Sequence, residues 1–244
     1  MGKGTVRPLE LGPPRGGPAP AAAGGVVIRI PEASSLLAAS LAWRALKRAV
    51  DVVASAILLV LTSPLMAAIA VAIKLESPGP AFFRHRRLGR GGREFGLIKF
   101  RTMVTDAEER LEAFLRTDPE LLEEWNSRYK LRRDPRVTRV GRILRKTSLD
   151  ELPQLFNILA GQMSLVGPRA IVRGELERFG NLAPTILSVK PGLTGLWAVS
   201  GRSDVSYEDR AVLEYRYVAT WSFLMDLRIL ARTLPAVVRG HGAY

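Results

Sequence analysis

The sequence predicts an α+β protein, mainly helical, that is monotopic in a membrane and carries a small β-hairpin. Three observations support this fold class. Residues 52–73 form a run of 22 residues without a charge, long enough at roughly 1.5 Å per residue to reach across a hydrocarbon layer of about 30 Å. Two short apolar segments flank a glycine-rich turn at residues 89–92, which is typical of a hairpin. Amphipathic segments of helical period occupy much of the remaining chain.

The composition narrows the class of partner. The chain has 36 basic and 23 acidic residues, a formal charge of +13, two histidines and no cysteine. Disulfides and thiolate metal sites are therefore excluded, and a histidine-rich metal centre is disfavoured. The positive charge predicts a polyanionic partner, which leaves nucleic acid, anionic lipid or a phosphorylated small molecule. The uncharged run argues against a soluble nucleic-acid binder, which has no use for such a segment.

The first 74 residues divide into a tail and an anchor. Residues 1–31 are rich in glycine and proline, which predicts a disordered tail. In the anchor, residues 32–74, a leucine-rich segment containing Trp43 precedes a basic end. This pattern predicts an amphipathic helix at the lipid headgroups, although a plain surface helix fits it about as well. Residues 75–244 are expected to form a cytosolic domain that ends in amphipathic helices.

A proline lies in the middle of the uncharged run. Pro64 removes one helical hydrogen bond, and the hydroxyls of Thr62 and Ser63 are placed to satisfy freed carbonyls. We therefore predict a break at Ser63 and Pro64. Cations flank the run on both sides, and basic flanks favour the cytoplasmic face. The simplest course is a re-entrant helix that leaves by the face it entered; a kinked spanning helix is the alternative, and a buried soluble helix comes third.

A β-hairpin is expected within residues 78–103. Its strands are predicted near residues 81–83 and 95–98. Most of the cations beside them are interpreted as a solvated or lipid-facing edge. Lys99 and Arg101 are better functional candidates, because alternation places them on one face of a strand.

The rest of the chain predicts helices joined by turns. Helices are expected at residues 105–116, 119–128, 206–220 and 222–238. Another helix carries Arg139, Arg142 and Arg145 at three-residue spacing, which gives it one positive face. Tight turns are expected at residues 167–169, where Arg169 is presented, and at residues 191–195.

Asp150 and Glu151 are adjacent carboxylates directly after a dense cation cluster. Residues 130–146 hold eight cations and one acid, a field expected to keep nearby carboxylates ionised. Pro153 tolerates only the first turn of a helix, which predicts Asp150 as the N-cap and Pro153 as the third helical residue. A partly exposed, ionised aspartate among guanidinium groups can bind a divalent metal or attack phosphorus. On residue types alone, a purely structural role as cap and first-turn acid is favoured.

Several motifs, in order, give the chain a resemblance to a known family. They are Lys47-Arg48 with Asp51, Ser63-Pro64, Lys99-Phe100-Arg101-Thr102-Met103, Asp134-Pro135-Arg136-Val137-Thr138, Ser148-Leu149-Asp150-Glu151-Leu152-Pro153-Gln154-Leu155, Ser164-Leu165-Val166-Gly167-Pro168-Arg169 and Pro191-Gly192-Leu193-Thr194-Gly195. Over roughly residues 45–244 the chain resembles the bacterial sugar transferase family, the monotopic phosphoglycosyl transferases.

The resemblance implies an activity and its partners. Members of the family transfer a sugar 1-phosphate from a UDP-sugar to undecaprenyl phosphate and release UMP. The C-terminal part of the chain is similar to hexose-transferring members that begin exopolysaccharide or O-antigen units, so glucose or galactose is expected. The implied location is the cytosolic face of the bacterial inner membrane, among anionic lipids and without a nucleic-acid partner. Whether the protein is a monomer or a homodimer is left open.

The resemblance also implies roles for individual residues. Asp150 would attack the β-phosphorus and carry the phosphosugar, while Glu151 would help with metal binding or proton transfer. Mg²⁺, held at Asp150 and Glu151, would neutralise the diphosphate. The Ser63-Pro64 pair resembles the family's re-entrant kink. Phosphate-binding or site-ordering roles are implied for Lys99, Arg101, Arg136, Arg145 and Arg169.

Two other classes stay open at this point. A membrane-anchored scaffold could bind polyanions through the same cations without catalysis; its affinity would fall with salt and would not depend on Asp150. An ordinary glycosyltransferase would move the sugar without its phosphate and would release UDP.

Overall fold

The computed structural model describes residues 41–128, 131, 134–201 and 206–239. The predicted tail, residues 32–40 of the predicted interfacial helix, and three cations of the cluster before Asp150 lie outside these residues. The described residues are mainly helical, with two small two-stranded sheets. This confirms the mainly helical α+β class.

The described residues contain nine α-helices and four strands. The helices are α1 (Leu41–Glu76), α2 (Ala107–Thr117), α3 (Pro119–Arg128), α4 (Arg139–Thr147), α5 (Gln154–Leu159), α6 (Leu176–Phe179), α7 (Ala183–Ile186), α8 (Tyr207–Ala219) and α9 (Phe223–Arg239). The strands are β1 (Phe82–Leu88), β2 (Glu94–Phe100), β3 (Ser164–Val166) and β4 (Gly192–Thr194). The helices predicted along the domain are confirmed, with ends that differ by one or two residues.

Helix α1 is a continuous helix of 36 residues that contains Pro64. Ser63 Oγ donates to the carbonyl of Val60 at 2.8 Å, the acceptor that the missing Pro64 N–H would have used. Thr62 Oγ1 likewise donates to Leu58 O at 2.7 Å. The predicted hydroxyl compensation is confirmed. The predicted interruption of the helix is wrong, because helical structure continues through the proline; a bend, and the re-entrant course, stay predictions.

Helix α1 also includes the C-terminal end of the predicted interfacial helix. Residues 41–48 continue into the apolar run without a boundary, so the described residues contain no separate headgroup helix at this point. The part Ala42–Glu76 is long and apolar enough to cross a membrane; its most apolar 18 residues have a mean hydropathy of 2.5, and only 17% of them are buried in the protein.

The hairpin is confirmed, with longer strands than the sequence indicates. β1 and β2 are antiparallel, with Phe82 opposite Phe100 and Leu88 opposite Glu94. The connection is a 3₁₀ turn at Arg90–Gly92, where Gly91 and Gly92 have φ values of 69° and 72°. Glycine adopts this left-handed region at little cost, which accounts for the glycines in the turn.

The second sheet corrects one sequence prediction. β4 lies within the segment predicted as a tight turn, and it pairs in parallel with β3. The two segments approach closely: a Cβ on Gly192 would lie 2.1 Å from the Gly167 nitrogen. The glycines are therefore required by backbone contact between distant segments, a reason that the local sequence does not reveal.

Two apolar clusters connect α1 to the domain. Near its C-terminal end, Met66, Ile69 and Ile73 pack with Ala81, Phe100 and Leu144; we call these six residues the α1–hairpin cluster. Near its N-terminal end, Ala54 and Leu59 pack on a larger cluster formed by residues of β2, α5, β3, α8 and α9. The site described next lies against the α1–hairpin cluster.

Candidate active site

Asp150 and Glu151 lie on a 3₁₀ turn, Leu149–Glu151, between α4 and α5. Helix α4 ends at Thr147 and is capped by Ser148, whose φ of 56° is the only positive value for a non-glycine residue in the described chain. Leu149 and Leu152 pack against the α1–hairpin cluster, as expected because residues i and i+3 eclipse in a 3₁₀ turn. Packing of these two leucines on the cluster thus fixes the position of the turn and of its two carboxylates.

The predicted N-cap role of Asp150 is wrong. Pro153 occupies the N-cap position of α5, and the first α-helical residue is Gln154. Ser148, in the left-handed backbone conformation, caps the C-terminus of α4. The chain then makes a tight turn, and Pro153 directly precedes the next helix. Asp150 is therefore not used to cap a helix, which removes the capping part of the structural role that residue types alone favoured.

Lys99 and Arg145 are the cations that act on Asp150. Lys99 is next to the end of β2, and Arg145 is in the last turn of α4, where its Nε donates to Thr102 Oγ1 at 3.0 Å. Burial raises the pKa of Asp150, and the charges of Lys99 and Arg145 oppose that rise without cancelling it. Asp150 is 8% exposed. The expectation of a partly exposed carboxylate is thus wrong, and desolvation of the carboxylate outweighs the field of the cations in setting the direction of its pKa; that it is ionised stays a prediction.

Arg101 and Arg136 have their guanidinium groups engaged by nearby backbone or carboxylate oxygens. Arg101 donates to Pro78 O at 2.7 Å and to Ser77 O at 2.9 Å. Arg136 binds the two carboxylate oxygens of Asp134 at 2.8 and 2.6 Å. These contacts favour a site-ordering role over phosphate binding. On α4, Arg139 and Arg142 are exposed, so Arg145 is the member of that positive face that acts on Asp150.

Arg169 belongs to a second group of charges that the sequence did not reveal. Its guanidinium lies over the Trp197 ring, 4.8 Å from the centroid. Arg87 and Arg210 both approach Glu175, each with an N–O distance of 3.6 Å. We call Arg87, Arg169 and Arg210 the arginine cluster. Repulsion from Arg169 and attraction to Glu175 both act on the other two arginines, so the three charges share one small region.

His85 lies beside the arginine cluster. Its Nδ1 lies 3.3 Å from an Arg87 Nη2. Burial, followed by the charges of Arg87 and Lys99, lowers the pKa of His85 to about 4, so the ring is neutral at pH 7. A band of cations therefore runs from Asp150 through Lys99 to Arg169, and such a band suits a substrate with several negative charges.

Glu214 holds the backbone of Arg169. Its Oε1 accepts from the Arg169 amide at 3.0 Å, while Oε2 has no partner. Burial raises the pKa of Glu214 to about 7, and Arg210 opposes this shift. Arg210 and Glu214 are four residues apart on α8, on its buried face. That spacing of opposite charges within a predicted amphipathic helix was the signal that could have identified them.

Asp150 and Glu151 also suit a magnesium ion that is completed by substrate. Mg²⁺ is commonly held by one or two carboxylates together with substrate phosphates, rather than by a cage of protein ligands. Across the described part of the chain, no three His, Cys, Asp or Glu side chains gather in a way that could hold a metal alone. The donor set at the turn therefore fits an ion that shares its coordination with a diphosphate.

Comparisons with known proteins place the chain among sugar transferases. The profile described as bacterial sugar transferase matches residues 42–240. Exopolysaccharide production protein ExoY of Rhizobium meliloti (strain 1021) is 49% identical over 198 residues, 81% of this chain and 88% of that protein.

Two further relatives have names that state a substrate. The undecaprenyl-phosphate galactose phosphotransferase of Salmonella typhimurium is 49% identical over 201 residues, 82% of this chain but 42% of that protein. The UDP-glucose:undecaprenyl-phosphate glucose-1-phosphate transferase of Caulobacter vibrioides is 41% identical over 206 residues, 81% of this chain and 72% of that protein. The chain thus spans less than half of the Salmonella protein and most of the other two. With a family match that covers most of its length, the chain belongs to the bacterial sugar transferase family.

Proposed function

We propose that the protein transfers a hexose 1-phosphate from a UDP-sugar to undecaprenyl phosphate and releases UMP. The observation that carries the proposal is the position of Asp150, buried on a tight turn beside Lys99 and Arg145. The names of the Salmonella and Caulobacter relatives supply the acceptor and suggest galactose or glucose as the sugar. The name of the Rhizobium relative suggests a role at the start of exopolysaccharide assembly.

The reaction proceeds in two displacements at one phosphorus. In the first, an Asp150 carboxylate oxygen attacks the β-phosphorus of the donor, the bond to the α-phosphate bridging oxygen breaks, and UMP leaves with that oxygen. In the second, an oxygen of the lipid phosphate attacks the same phosphorus, and the Asp150 carboxylate leaves. The product is a lipid diphosphate sugar, and the aspartate is regenerated.

Residues of the chain supply charge stabilisation and alignment. Lys99 and Arg145 lie where negative charge builds up on the phosphoryl oxygens, which is the main requirement of phosphoryl transfer. Arg169 lies farther along the band of cations, and we assign it to the nucleotide phosphate, while Arg87 and Arg210, both bound to Glu175, order this region. Mg²⁺ at Asp150 and Glu151 would neutralise diphosphate charge when bound.

A re-entrant anchor at the cytosolic face of the inner membrane is part of the proposal. Near the start of α1, Lys47 donates to Val166 O at 2.9 Å, and Asp51 accepts from Leu165 N at 2.9 Å. Near its end, Glu76 accepts from Arg139 N at 2.6 Å and from Val140 N at 2.9 Å. Both ends of the helix therefore contact the same domain.

The length of the mostly exposed middle of α1 supports the same conclusion. Ser55 is fully buried, and Met66 is the first buried residue of the α1–hairpin cluster. The segment between them, residues 56–65, spans about 15 Å as a helix, half the roughly 30 Å of hydrocarbon that a spanning helix must cross. A helix that enters and leaves by one face requires no such crossing, and it keeps a soluble donor and a lipid acceptor at the same boundary.

The deciding experiment measures both the leaving group and the adduct. Purified protein with UDP-glucose or UDP-galactose, undecaprenyl phosphate and Mg²⁺ should release UMP, and without the acceptor it should gain the mass of a hexose phosphate on the peptide that carries Asp150. The variant Asp150→Asn should lose both signals. Release of UDP would indicate ordinary glycosyl transfer, and unchanged turnover in Asp150→Asn would remove the nucleophile. Binding of polyanions without any turnover would favour the scaffold alternative.

A further inference from the structure

A polar cavity lies at the end of the hairpin that is far from Asp150. Its volume is about 570 Å³, a size typical of sites for small molecules. The cavity is bordered by the hairpin turn, by the segment that follows α5 and by the residue before Pro191. Its lining includes the cations Arg90, Arg93 and Lys190, together with Gln162 and the acid Glu94.

The cavity is separate from the turn that carries the carboxylates. Strand β2 begins at Glu94, which lines the cavity, and reaches Lys99, which acts on Asp150. These five residue steps correspond to about 17 Å at roughly 3.4 Å per residue. Helix α5 spans the same interval, since the carboxylates precede it and Gly161, which lines the cavity, follows it.

The positive charge of the cavity is not offset by its own acids. No carboxylate of the described residues forms an ion pair with Arg90, Arg93 or Lys190. Glu94 is paired with Arg173 at 3.0 Å. Asp51 attracts Lys190, but it is buried and its Oδ1 already accepts two hydrogen bonds from β3. An anion would therefore be attracted to the cavity.

Lys190 lies close to a further cation, Arg48. A Cβ on Gly161 would lie 3.5 Å from Nη2 of Arg48 and 3.7 Å from Nζ of Lys190, so both charges approach the same glycine. Arg48 is held there by hydrogen bonds to the carbonyls of Ile158 and Leu159, at 2.5 and 2.8 Å. Burial, followed by repulsion from Arg48, lowers the pKa of Lys190. An anion between these two cations would relieve the repulsion.

Gln162 adds a neutral donor to the cavity. The Ile98 amide donates to Asn157 Oδ1 at 2.9 Å, which fixes the orientation of that side-chain amide. Asn157 Nδ2 in turn donates to Gln162 Oε1 at 2.7 Å, so the free end of Gln162 is its Nε2 donor. Ammonium, guanidinium and amide N–H groups therefore border one space, which is the donor set of a site for an oxyanion.

We propose that this cavity is a second phosphate-binding site, in which Lys190, Arg93 and Gln162 bind the oxygens of one phosphate group. A tetrahedral phosphate has several acceptor oxygens that point in different directions, and it therefore matches donors that come from three segments better than a planar carboxylate does. The phosphate belongs either to a molecule free in solution or to an anionic phospholipid headgroup, because both offer the same oxygens. The inference goes beyond the proposed function and does not require it.

The test measures the reactivity of individual lysines. Lys190 lies in the cavity, Lys99 lies beside Asp150, and Lys146 is exposed on α4. The full chain in a maltoside detergent is treated briefly with an amine-acetylating reagent, and peptide mass spectrometry gives the rate at each lysine. Inorganic phosphate at ten times its Kd should slow acetylation of Lys190 about tenfold and leave Lys146 unchanged. Sodium acetate at equal ionic strength should protect neither.

Nanodiscs distinguish the two sources of phosphate. Without added phosphate, protection of Lys190 in phosphatidylglycerol discs but not in phosphatidylcholine discs identifies an anionic headgroup as the occupant. Protection by inorganic phosphate in detergent alone identifies a soluble ligand, and either result supports the site. Absence of protection in both settings, or protection of Lys190 and Lys146 to the same extent, would overturn the proposal.

Two variants test the donors of the cavity. Gln162→Glu keeps an oxygen for Asn157 Nδ2 and replaces the Nε2 donor by a negative charge, while Arg93→Gln removes one cation. Each should raise the concentration needed for half-protection of Lys190 by at least about tenfold, the effect of losing a charge-assisted hydrogen bond.

The matched controls make the same charge changes outside the cavity. Asn181→Asp and Arg86→Gln alter exposed residues that do not line it, and each should change the half-protection concentration by less than about twofold. An equal rise in these controls would show a general effect of net charge and would overturn the proposal.

A last comparison separates this cavity from the catalytic turn. In Lys99→Gln, protection of Lys190 should be the same as in the unaltered chain. Loss of that protection would show that phosphate binds only beside Asp150, and the second site would be excluded. Protection of Lys190 in a protein that releases no UMP from UDP-sugars would support the second site and defeat the proposed function, whereas UMP release with an unprotected Lys190 would do the opposite.

Discussion

At the scale of single residues, burial and charge act in opposite directions on Asp150. Loss of water around a carboxylate makes it a stronger nucleophile but also raises its pKa, which lowers the fraction that is ionised. Lys99 and Arg145 restore part of that fraction. The position thus resembles other catalytic groups whose pKa values are set by burial together with a specific charge partner.

This balance predicts a pH shift in Lys99→Gln. Asp150 must be ionised to attack, so adduct formation falls as the pH drops through its pKa. Because removal of the Lys99 charge raises that pKa further, the acid limb of the rate profile should move to higher pH, and raising the pH should recover part of the lost rate. The measurement is the initial rate of adduct formation across pH.

Lys146→Gln is the matched control for the Lys99 variant. Lys146 is exposed on α4 and carries the same charge, and it does not act on Asp150. A uniform loss of rate in Lys99→Gln at every pH, without movement of the limb, would show that Lys99 only holds substrate.

A second prediction concerns Glu214 and stability. The pKa of this carboxyl is about 7 in the folded protein against an ordinary value of 4.5, so the folded state binds more protons than the unfolded state between these values. The contribution of this group to the free energy of unfolding is largest below about pH 4.5. It is lost as the pH rises through 7, a decrease of about 3 kcal/mol. Glu214→Gln keeps an acceptor for the Arg169 amide but cannot titrate. Its thermal unfolding in detergent should therefore lack this decline, and equal slopes in both proteins would contradict the prediction.

At the scale of elements, the sequence predicted what local pattern decides. The glycine-rich turn at residues 89–92 and the amphipathic period of α2, α4, α8 and α9 were sufficient to locate a hairpin and helices. Strand β4 was missed, since a three-residue strand is defined by its distant partner β3. The predicted N-cap of α5 was wrong because Ser148 adopts a left-handed conformation that its residue type does not favour.

The candidate site was predicted to a similar degree. Asp150, Lys99 and Arg145 come together as expected for a phosphate site, because alternation along a strand and spacing along a helix fixed their directions. The contacts of Arg101 and Arg136 depend on which oxygens lie next to them after folding. Arg87 was not singled out, because only long-range packing brings it to Glu175; Arg210 was missed although its spacing from Glu214 on α8 was a local signal.

Arg101 gives a prediction at this scale. Its guanidinium holds the backbone that follows α1 through two carbonyls, and the residue is 7% exposed. Arg101→Gln removes two hydrogen bonds that a charged, buried side chain donates and should lower the free energy of unfolding by about 2–3 kcal/mol. Arg84→Gln, an exposed arginine of β1, should change it by less than about 0.5 kcal/mol. Thermal unfolding in detergent measures the stability of both variants. Equal small shifts would show that the hydrogen bonds from Arg101 do not stabilise the end of α1.

At the scale of the whole molecule, large apolar side chains are exposed on several elements and the net charge is strongly positive. Exposed apolar residues occur on the middle of α1, on the hairpin and on α9, among them Val60, Leu61, Phe83, Leu224 and Leu234. The chain also carries a formal charge of +13, which attracts anionic headgroups over about a Debye length of 8 Å at physiological salt. Under the proposed function, insertion of these apolar residues and attraction of the cations would both favour binding to an anionic membrane.

The orientation of α1 provides the last prediction, and the chain is well suited to it because it has no cysteine. Ala45→Cys and Leu75→Cys place single exposed thiols near the two ends of the helix. If α1 is re-entrant, a membrane-impermeant maleimide should label both thiols in inside-out vesicles and neither in spheroplasts. Ser63→Ala with Pro64→Ala restores the missing N–H and removes the reason for a bend, so in that background the thiol at position 45 should become reactive in spheroplasts. Labelling of position 45 in spheroplasts of the otherwise unaltered chain would show a spanning helix, and the contacts that join Lys47 and Asp51 to the domain would then have to be absent in the membrane.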